Sequence, residues 1–464
     1  MSTYDVKIWA IQEHKGKDPK TGKPRSTYRV RWVVAGQVFG ESFKTKALAE
    51  SFRSKLVVAQ REGVAFDEPS GLPEPMAREL NTRSWYDHAV AFVDMKWPRA
   101  AAKHRKSIAE ALSNVTPVLL SGTRGAPAEA DIRRALYAWS FNKARRDAGP
   151  PPEEFAPAIR WISSNTVSLN ELRDAALVRK ALDALSLRQD GRQAAATTIA
   201  RKRAVFYGAL RYAVELGLLA AHPMANVQWV TPKSNDEIDR RSVVNPEQAL
   251  TLLGAVCERH PRLVAFYACL YYAALRPAEA LHLRIEDCEL SEDGWGMLRL
   301  SGSTQHVGEG WGDDINAVRE DRELKHRAKT AVRLVPAAPP LVRALRWHLA
   351  EHGHAPDGRL FVTQGYGHGP VSKETYSRVW RAARRAALSP AQQRSPLARR
   401  PYDLRHAAVS LWLNEGVPAT QVAEWAGHSV HVLLKVYAKC IEGQDQAARR
   451  RIEAALSRDD DAAA

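Results

Sequence analysis

The sequence predicts a multidomain α+β chain: a small N-terminal β-sheet plus helix, an all-helical middle region, and a mainly helical C-terminal region with a small antiparallel sheet. Three observations carry this. Near the start, Tyr28, Val30 and Trp32 alternate with Arg29 and Arg31, the period of a half-buried strand with a basic outer face. In the middle, Val205, Ala209, Tyr212 and Leu216 recur near helical spacing within residues 197–219. Towards the end, short strand-like runs at 296–300, 322–326 and 331–335 are embedded among helical segments. The 464 residues, 45% of them hydrophobic, are enough for two to four domains, each with its own core.

In order along the chain, residues 7–11 and 38–43 read as partner strands to Tyr28–Trp32. Residues 45–61 read as a helix with Leu48, Phe52 and Leu56 on one side. The Pro/Gly-rich stretch 67–75 reads as a linker. The helical middle runs from about 84 to 230, and the polar stretch 231–241 reads as a second linker or hinge. Asn245, Pro246 and Gln248 then form a helix start: an N-cap, a proline in the first turn and a capping-box partner. Ala249, Leu252, Leu253 and Val256 give that helix its apolar face. Residues 263–275 read as a buried helix, 301–319 as a Gly/Asp-rich loop, and helices resume after Pro339. The expected domains are therefore 1–65, 80–230 and 243–464.

Charge narrows the function. The chain has 68 Lys and Arg against 52 Asp and Glu, a formal charge of +16. Residues 1–62 alone hold 13 basic against 6 acidic residues. A basic excess of this size points to a polyanionic partner, most often nucleic acid, although a solubilising surface would give the same number. Cys257, Cys269, Cys288 and Cys440 form no CxxC pair, which argues against a disulfide framework or a zinc knuckle and for a reducing cytoplasm. The longest apolar run, 263–275, falls short of the ~18–20 residues that cross a bilayer, and the N-terminus does not open like a signal peptide. No membrane partner is expected.

Several catalytic patterns are absent. The stretch 16–24 has five residues between its glycines and a proline where a phosphate loop needs Ser or Thr, so it reads as a hairpin tip. There is no HExxH, no GxSxG and no His/Cys cluster at metal spacing; Asp459–Asp461 read as solvated carboxylates. The expectation is chemistry with no metal and no cofactor.

The informative residues lie later. Proline at 277 pushes Arg276 out of helical geometry and itself suits a first helical position, so Arg276 stands at the mouth of a helix through Glu279. Asp403 reads as the N-cap of another helix, with Arg405 in its first turn and Leu404, Ala408 and Leu411 as its buried stripe. Two arginines at two helix N-termini can grip one anion. Either one alone would read as a surface ion pair. Ser429 can cap a further helix, on which Val430, Leu433, Leu434 and Tyr437 share a face; Tyr437 alone would read as a core residue.

Taken in order, Ala274-Leu275-Arg276-Pro277-Ala278-Glu279, Tyr402-Asp403-Leu404-Arg405-His406, Gly427-His428-Ser429 and Val436-Tyr437-Ala438 resemble the tyrosine recombinase (phage integrase) family. The resemblance implies that residues 243–464 are the catalytic domain, that 80–230 are a core-binding domain, and that 1–65 are an arm-type DNA-binding domain. It implies that Arg276 and Arg405 hold the scissile phosphate, that His428 adds a hydrogen bond, that Glu279 buttresses Arg276 and that Tyr437 is the nucleophile. The family's hairpin lysine, a general acid, has two candidates here, Lys325 and Lys329. Tyr402 stands where most relatives have histidine; a phenol can donate to a phosphate oxygen, but with an ordinary pKa near ~10 it is a poor proton shuttle at neutral pH.

The implied reaction joins Tyr437 to a DNA 3′-phosphate, frees a 5′-hydroxyl and reseals on another strand without ATP, with four protomers exchanging strands through a Holliday junction. The implied partners are double-stranded DNA at core and arm sites, other copies of the chain, and an excision factor or host DNA-bending protein. Arg29, Arg31, Arg201, Lys202, Arg203 and Arg211 are the candidate DNA-backbone contacts in the first two domains. Beyond Tyr437, Ala448, Ile452, Ala455 and Leu456 form an apolar stripe that either docks on a neighbouring protomer or packs back on its own domain. The rival readings are a non-catalytic architectural protein on the same fold, favoured only by Tyr402, and a relaxing topoisomerase, disfavoured by the arm-like N-terminus.

Overall fold

The computed structural model of the chain describes residues 2–17, 24–80, 83–188, 191–230, 232, 238–314, 316–324, 331–363, 369–437, 449, 452 and 453. These form two compact units, 1–233 and 234–464. The architecture is α+β: helices dominate both units, and the described sheets are small and antiparallel.

In the first unit, the long strand Pro24–Val34 pairs with Val6–Ile8, Gln12–Lys17 and Gln37–Phe43. The alternation read at Tyr28–Trp32 is real: Val30 and Trp32 are buried while Arg29 faces solvent. The helix Lys46–Arg61, capped by Thr45, covers the inner face with Ala49 and Leu56. Leu48, expected on that face, is instead exposed, and Ala49 takes its place beside Phe52 and Leu56. The expected linker 67–75 is also structured. Phe66–Asp67 and Leu72–Pro73 pair with each other, Ser2–Thr3 joins them, and Phe66 and Leu72 enter the sheet's core.

The helical part of this unit contains Trp85–Lys96, Ala102–Val115, Ala175–Leu185 and Ala196–Glu215 among its helices. Val205 and Ala209 are buried as their spacing predicts, whereas Leu216 lies past the helix end and is exposed.

In the second unit, Asn245 and Gln248 cap the helix Pro246–Arg259 reciprocally, as read from sequence. The apolar run after it is helical only over Val264–Tyr272; Ala274 takes a positive φ of 49° and turns the chain. A three-stranded sheet pairs Gly296–Leu300 with both Cys288–Glu289 and Arg333–Ala337. The loop expected over 301–319 contains a strand, Gly302–His306, paired with Arg319–Glu323, so the second strand begins three residues earlier than predicted. Helices Pro339–His352, Lys373–Ala387, Asp403–Asn414, Ala419–Ala426 and Val430–Tyr437 complete the core. Among the described residues, no helix is long and apolar enough to cross a membrane.

Candidate active site

Arg276 has the extended backbone that the following proline demands (φ −72°, ψ 146°), and Pro277–Ala280 is a single helical turn. Glu279 in that turn folds back on Arg276: its carboxylate accepts from the Arg276 backbone N–H at 2.8 Å and from Nη1 at 2.7 Å. Arg276 Nη2 donates to the Gly427 carbonyl at 2.9 Å. Two segments far apart in sequence are thereby tied together.

Glu279 is buried, and so is its second partner. Arg333 grips both carboxylate oxygens, at 3.1 and 2.8 Å. Burial alone would raise this carboxyl's pKa; the guanidiniums of Arg333, Arg276 and Arg405 overcome that and hold it at about 2.

Arg405 is completely buried at the start of the helix Asp403–Asn414. It donates to the carbonyls of Ala274 and Ala426 and, through Nη2, to His428 Nε2 at 2.8 Å. Asp403 is not the cap predicted for this helix. It is the first helical residue, and its carboxylate turns back to accept from the Arg400 backbone and side chain.

The tautomer of His428 follows from its partner. A guanidinium can only donate, so Nε2 must accept, and a neutral imidazole then carries its proton on Nδ1. Burial, then Arg405 and Arg276, lower the His428 pKa to about 3, which keeps the ring neutral. His428 Nδ1, Arg405 Nε and Arg333 Nε are all buried with no partner among the described residues. Three N–H groups of one cluster are thus left unsatisfied.

Tyr437 lies on the helix Val430–Tyr437, which Ser429 caps by accepting from the Val432 N–H. Of the four residues expected to share its inner face, Leu433 and Tyr437 are buried, whereas Val430 and Leu434 are exposed. The Tyr437 hydroxyl lies 3.0 Å from His406 Nδ1, and the ring centroid is 6.2 Å from that of His428. Tyr402 closes the group: its ring meets His406 edge-on at 5.0 Å and lies 6.0 Å from the Arg405 guanidinium carbon.

These residues lie within the segment 242–441, which matches the family model described as the phage integrase family. Residues 242–441 belong to the phage integrase family. No curated protein matches the chain. Among solved structures, the chain is similar to the Tn1549 transposon integrase in complex with a circular intermediate DNA (15% identity, 67% of this chain and 96% of that chain, TM-score 0.47). It is also similar to XerH site-specific recombinase bound to a palindromic difH substrate (13%, 76% and 95%, 0.44) and to a lambda integrase tetramer bound to a Holliday junction (14%, 91% and 94%, 0.43).

Within the phage integrase domain, Arg276, Glu279, Tyr402, Arg405, His428 and Tyr437 come together as one cluster. Lys325 and Lys329 lie outside the described residues, as do Ala448, Ala455 and Leu456 of the C-terminal stripe. Two members were missed in the sequence. His406 directly follows Arg405, and nothing in its local sequence marks it as functional. Arg333 sits on the inward side of an alternating strand beside Val335 and Ala337, and a charge at such a position signals a buried partner.

In the first unit, Arg29, Arg201 and Arg211 are exposed; Arg31 and Arg203 are half-buried, and Arg31 lies over the Trp9 ring at 5.1 Å. Lys202 departs from expectation. It is 2% exposed, with Nζ 3.4 Å from Glu110, so it serves the interior of its helix bundle rather than a basic surface.

Proposed function

We propose that the chain is a site-specific DNA recombinase that cuts and rejoins strands through a covalent bond between Tyr437 and a 3′-phosphate. The observation that carries this reading is the Tyr437 hydroxyl at His406, in one cluster with Arg276, Arg405 and His428. Three guanidinium charges less the Glu279 carboxylate leave about two positive charges. A phosphodiester brings one negative charge, and the pentacoordinate transition state approaches two. The cluster therefore favours the transition state over the ground state, the requirement for catalysis.

Arg276 contacts one phosphate oxygen while Glu279 and Gly427 hold its fork in place. Arg405 and the unpaired Nδ1–H of His428 supply further donors. Tyr402 adds a phenolic hydrogen bond beside Arg276. A lysine, Lys325 or Lys329, protonates the departing 5′-oxygen. The link keeps the energy of the broken bond, so a 5′-hydroxyl from another strand reseals it with no cofactor, and four protomers exchange strands in pairs.

Residues 1–65 act as the arm-type module and 80–230 as the core-binding domain, with Arg29, Arg31, Arg201, Arg203 and Arg211 on the DNA backbone. This plan suits an integrase of a prophage or mobile element, aided in excision by a small factor or a host DNA-bending protein, working in the bacterial cytoplasm.

A nicked suicide DNA carrying the attachment core tests the reading. The native chain should form a covalent adduct that Tyr437→Phe abolishes. An undiminished adduct would move the nucleophile elsewhere, and no adduct with the native chain would favour the architectural reading. A variant lacking residues 1–62 should lose integration rate or directionality; full activity would refute the arm-site role.

A further inference from the structure

We propose that His406 is the proton acceptor for Tyr437: its Nδ1, 3.0 Å from the hydroxyl, takes the phenolic proton as the tyrosine oxygen attacks phosphorus. This rests on Tyr437 being the nucleophile. Of the two imidazoles beside Tyr437 among the described residues, His428 cannot serve, because its Nε2 lone pair is held by Arg405. Tyr402 packs on the His406 ring rather than replacing it, since a phenol is a weak base.

The surroundings suit the role. Burial, then Arg400 and Arg405, lower the His406 pKa to about 4, so the ring is neutral at pH 7 and its lone pair is available. The groups facing it are Tyr402, Arg405, His428 and Tyr437, together with Arg400, whose charge is already paired with Asp403. A bound phosphodiester offsets Arg405 and so raises the basicity of His406 only when substrate is present. The ring also borders an open cleft of about 690 Å³ lined by Asp239, Arg399, Arg400 and Asp403, through which a proton can exchange with solvent.

The step balances. The O–H bond of Tyr437 breaks and its proton moves to His406 Nδ1; the tyrosine oxygen–phosphorus bond forms; the bond from phosphorus to the 5′-oxygen breaks; and that oxygen takes a proton from the hairpin lysine. In resealing, the incoming 5′-hydroxyl gives its proton to that lysine, its oxygen bonds phosphorus as the tyrosine oxygen–phosphorus bond breaks, and His406 returns its proton to Tyr437.

The test is the rate of adduct formation on the suicide DNA by the full chain and its variants His406→Asn, His406→Gln and His406→Ala. Asn keeps a hydrogen-bond acceptor near Nδ1 but cannot take a proton. All three should lose roughly 10²-fold or more in rate, bind the DNA as the native chain does, and show a rate that keeps climbing with pH where the native rate levels off. A 5′-bridging phosphorothiolate, whose sulfur leaves unprotonated, should not rescue them. A native rate or an unchanged pH profile in His406→Asn would overturn the assignment, as would rescue by the phosphorothiolate. If Tyr437→Phe still forms the adduct, the nucleophile reading itself fails; if it does not while His406→Asn is fully active, this inference alone fails.

Discussion

Arg333 and Glu279 form a two-pronged ion pair with both side chains buried, 2% and 3% exposed, and Glu279 Oε1 is shared with Arg276. Arg333 thus fixes the carboxylate that orients Arg276, without being adjacent to it in sequence. Removing Arg333 would leave Glu279 pulling on Arg276 alone, and one more positive charge would be gone from the site.

Arg333→Met should therefore destabilise the protein by about 3–5 kcal/mol, the range for breaking a buried pair by deleting one partner. Urea titration measures it. The double replacement Arg333→Met with Glu279→Leu should recover most of that stability but not the rate of covalent adduct formation. Recovery of both would mean that the pair only stabilises the fold.

Acid should weaken the fold in a defined window. His406 and His428 have folded pKa values of about 4 and 3, below the ordinary ~6.5. The unfolded chain therefore binds protons first, and stability is lost as pH falls from ~6.5 towards those values. Glu279, lowered to about 2 from an ordinary ~4.3, adds a second loss at lower pH in the same direction. Melting temperatures from pH 7.5 to 4 should fall, and His406→Asn should flatten the decline. A Tm constant over that range would contradict the burial of these rings.

Gly427 has a left-handed backbone (φ 65°, ψ 48°), and its carbonyl accepts from Arg276. A Cβ there would collide with Arg333 Nη1 and come within 3.3 Å of Arg276 Nη1. Gly427→Ala should cost about 1–3 kcal/mol in backbone strain and lower adduct formation by displacing both guanidiniums. Native cleavage by this variant would show that the guanidiniums need no such placement.

Surface and interior charge should separate in salt titrations of DNA binding. Arg211→Ala removes an exposed charge and should reduce the slope of log affinity against log salt by about 0.9. Lys202→Ala should leave that slope unchanged and lower the thermal midpoint, because Lys202 is buried on Glu110. A slope change for Lys202 equal to that of Arg211 would refute the distinction.

Local order was legible wherever one segment decided it. The capping of Asn245 by Gln248, the alternation at Tyr28–Trp32 and the entry of Arg276 ahead of Pro277 depend on neighbours within a few residues, and each appears as read. Errors arose where a distant partner chose the conformation. The stretch 67–75 looked like a linker by composition, yet Ser2–Thr3 pairs with it and its apolar side chains complete the sheet's core. Lys202 had the charge of a surface residue and the packing of an interior one.

By itself, then, the sequence determined the α+β plan, the excess of positive charge and the ordered motifs around Arg276, Arg405, His428 and Tyr437, because residue type, periodicity and proline geometry are local properties. Only the tertiary structure decided that Arg333 clamps Glu279 and that His406, not His428, meets the Tyr437 hydroxyl. Those pairs join residues 54 and 31 positions apart. Which buried donor faces which acceptor is set by how the helices and strands close on one another, where leaving any charge or hydrogen-bonding group unpaired would cost more than local preference can supply.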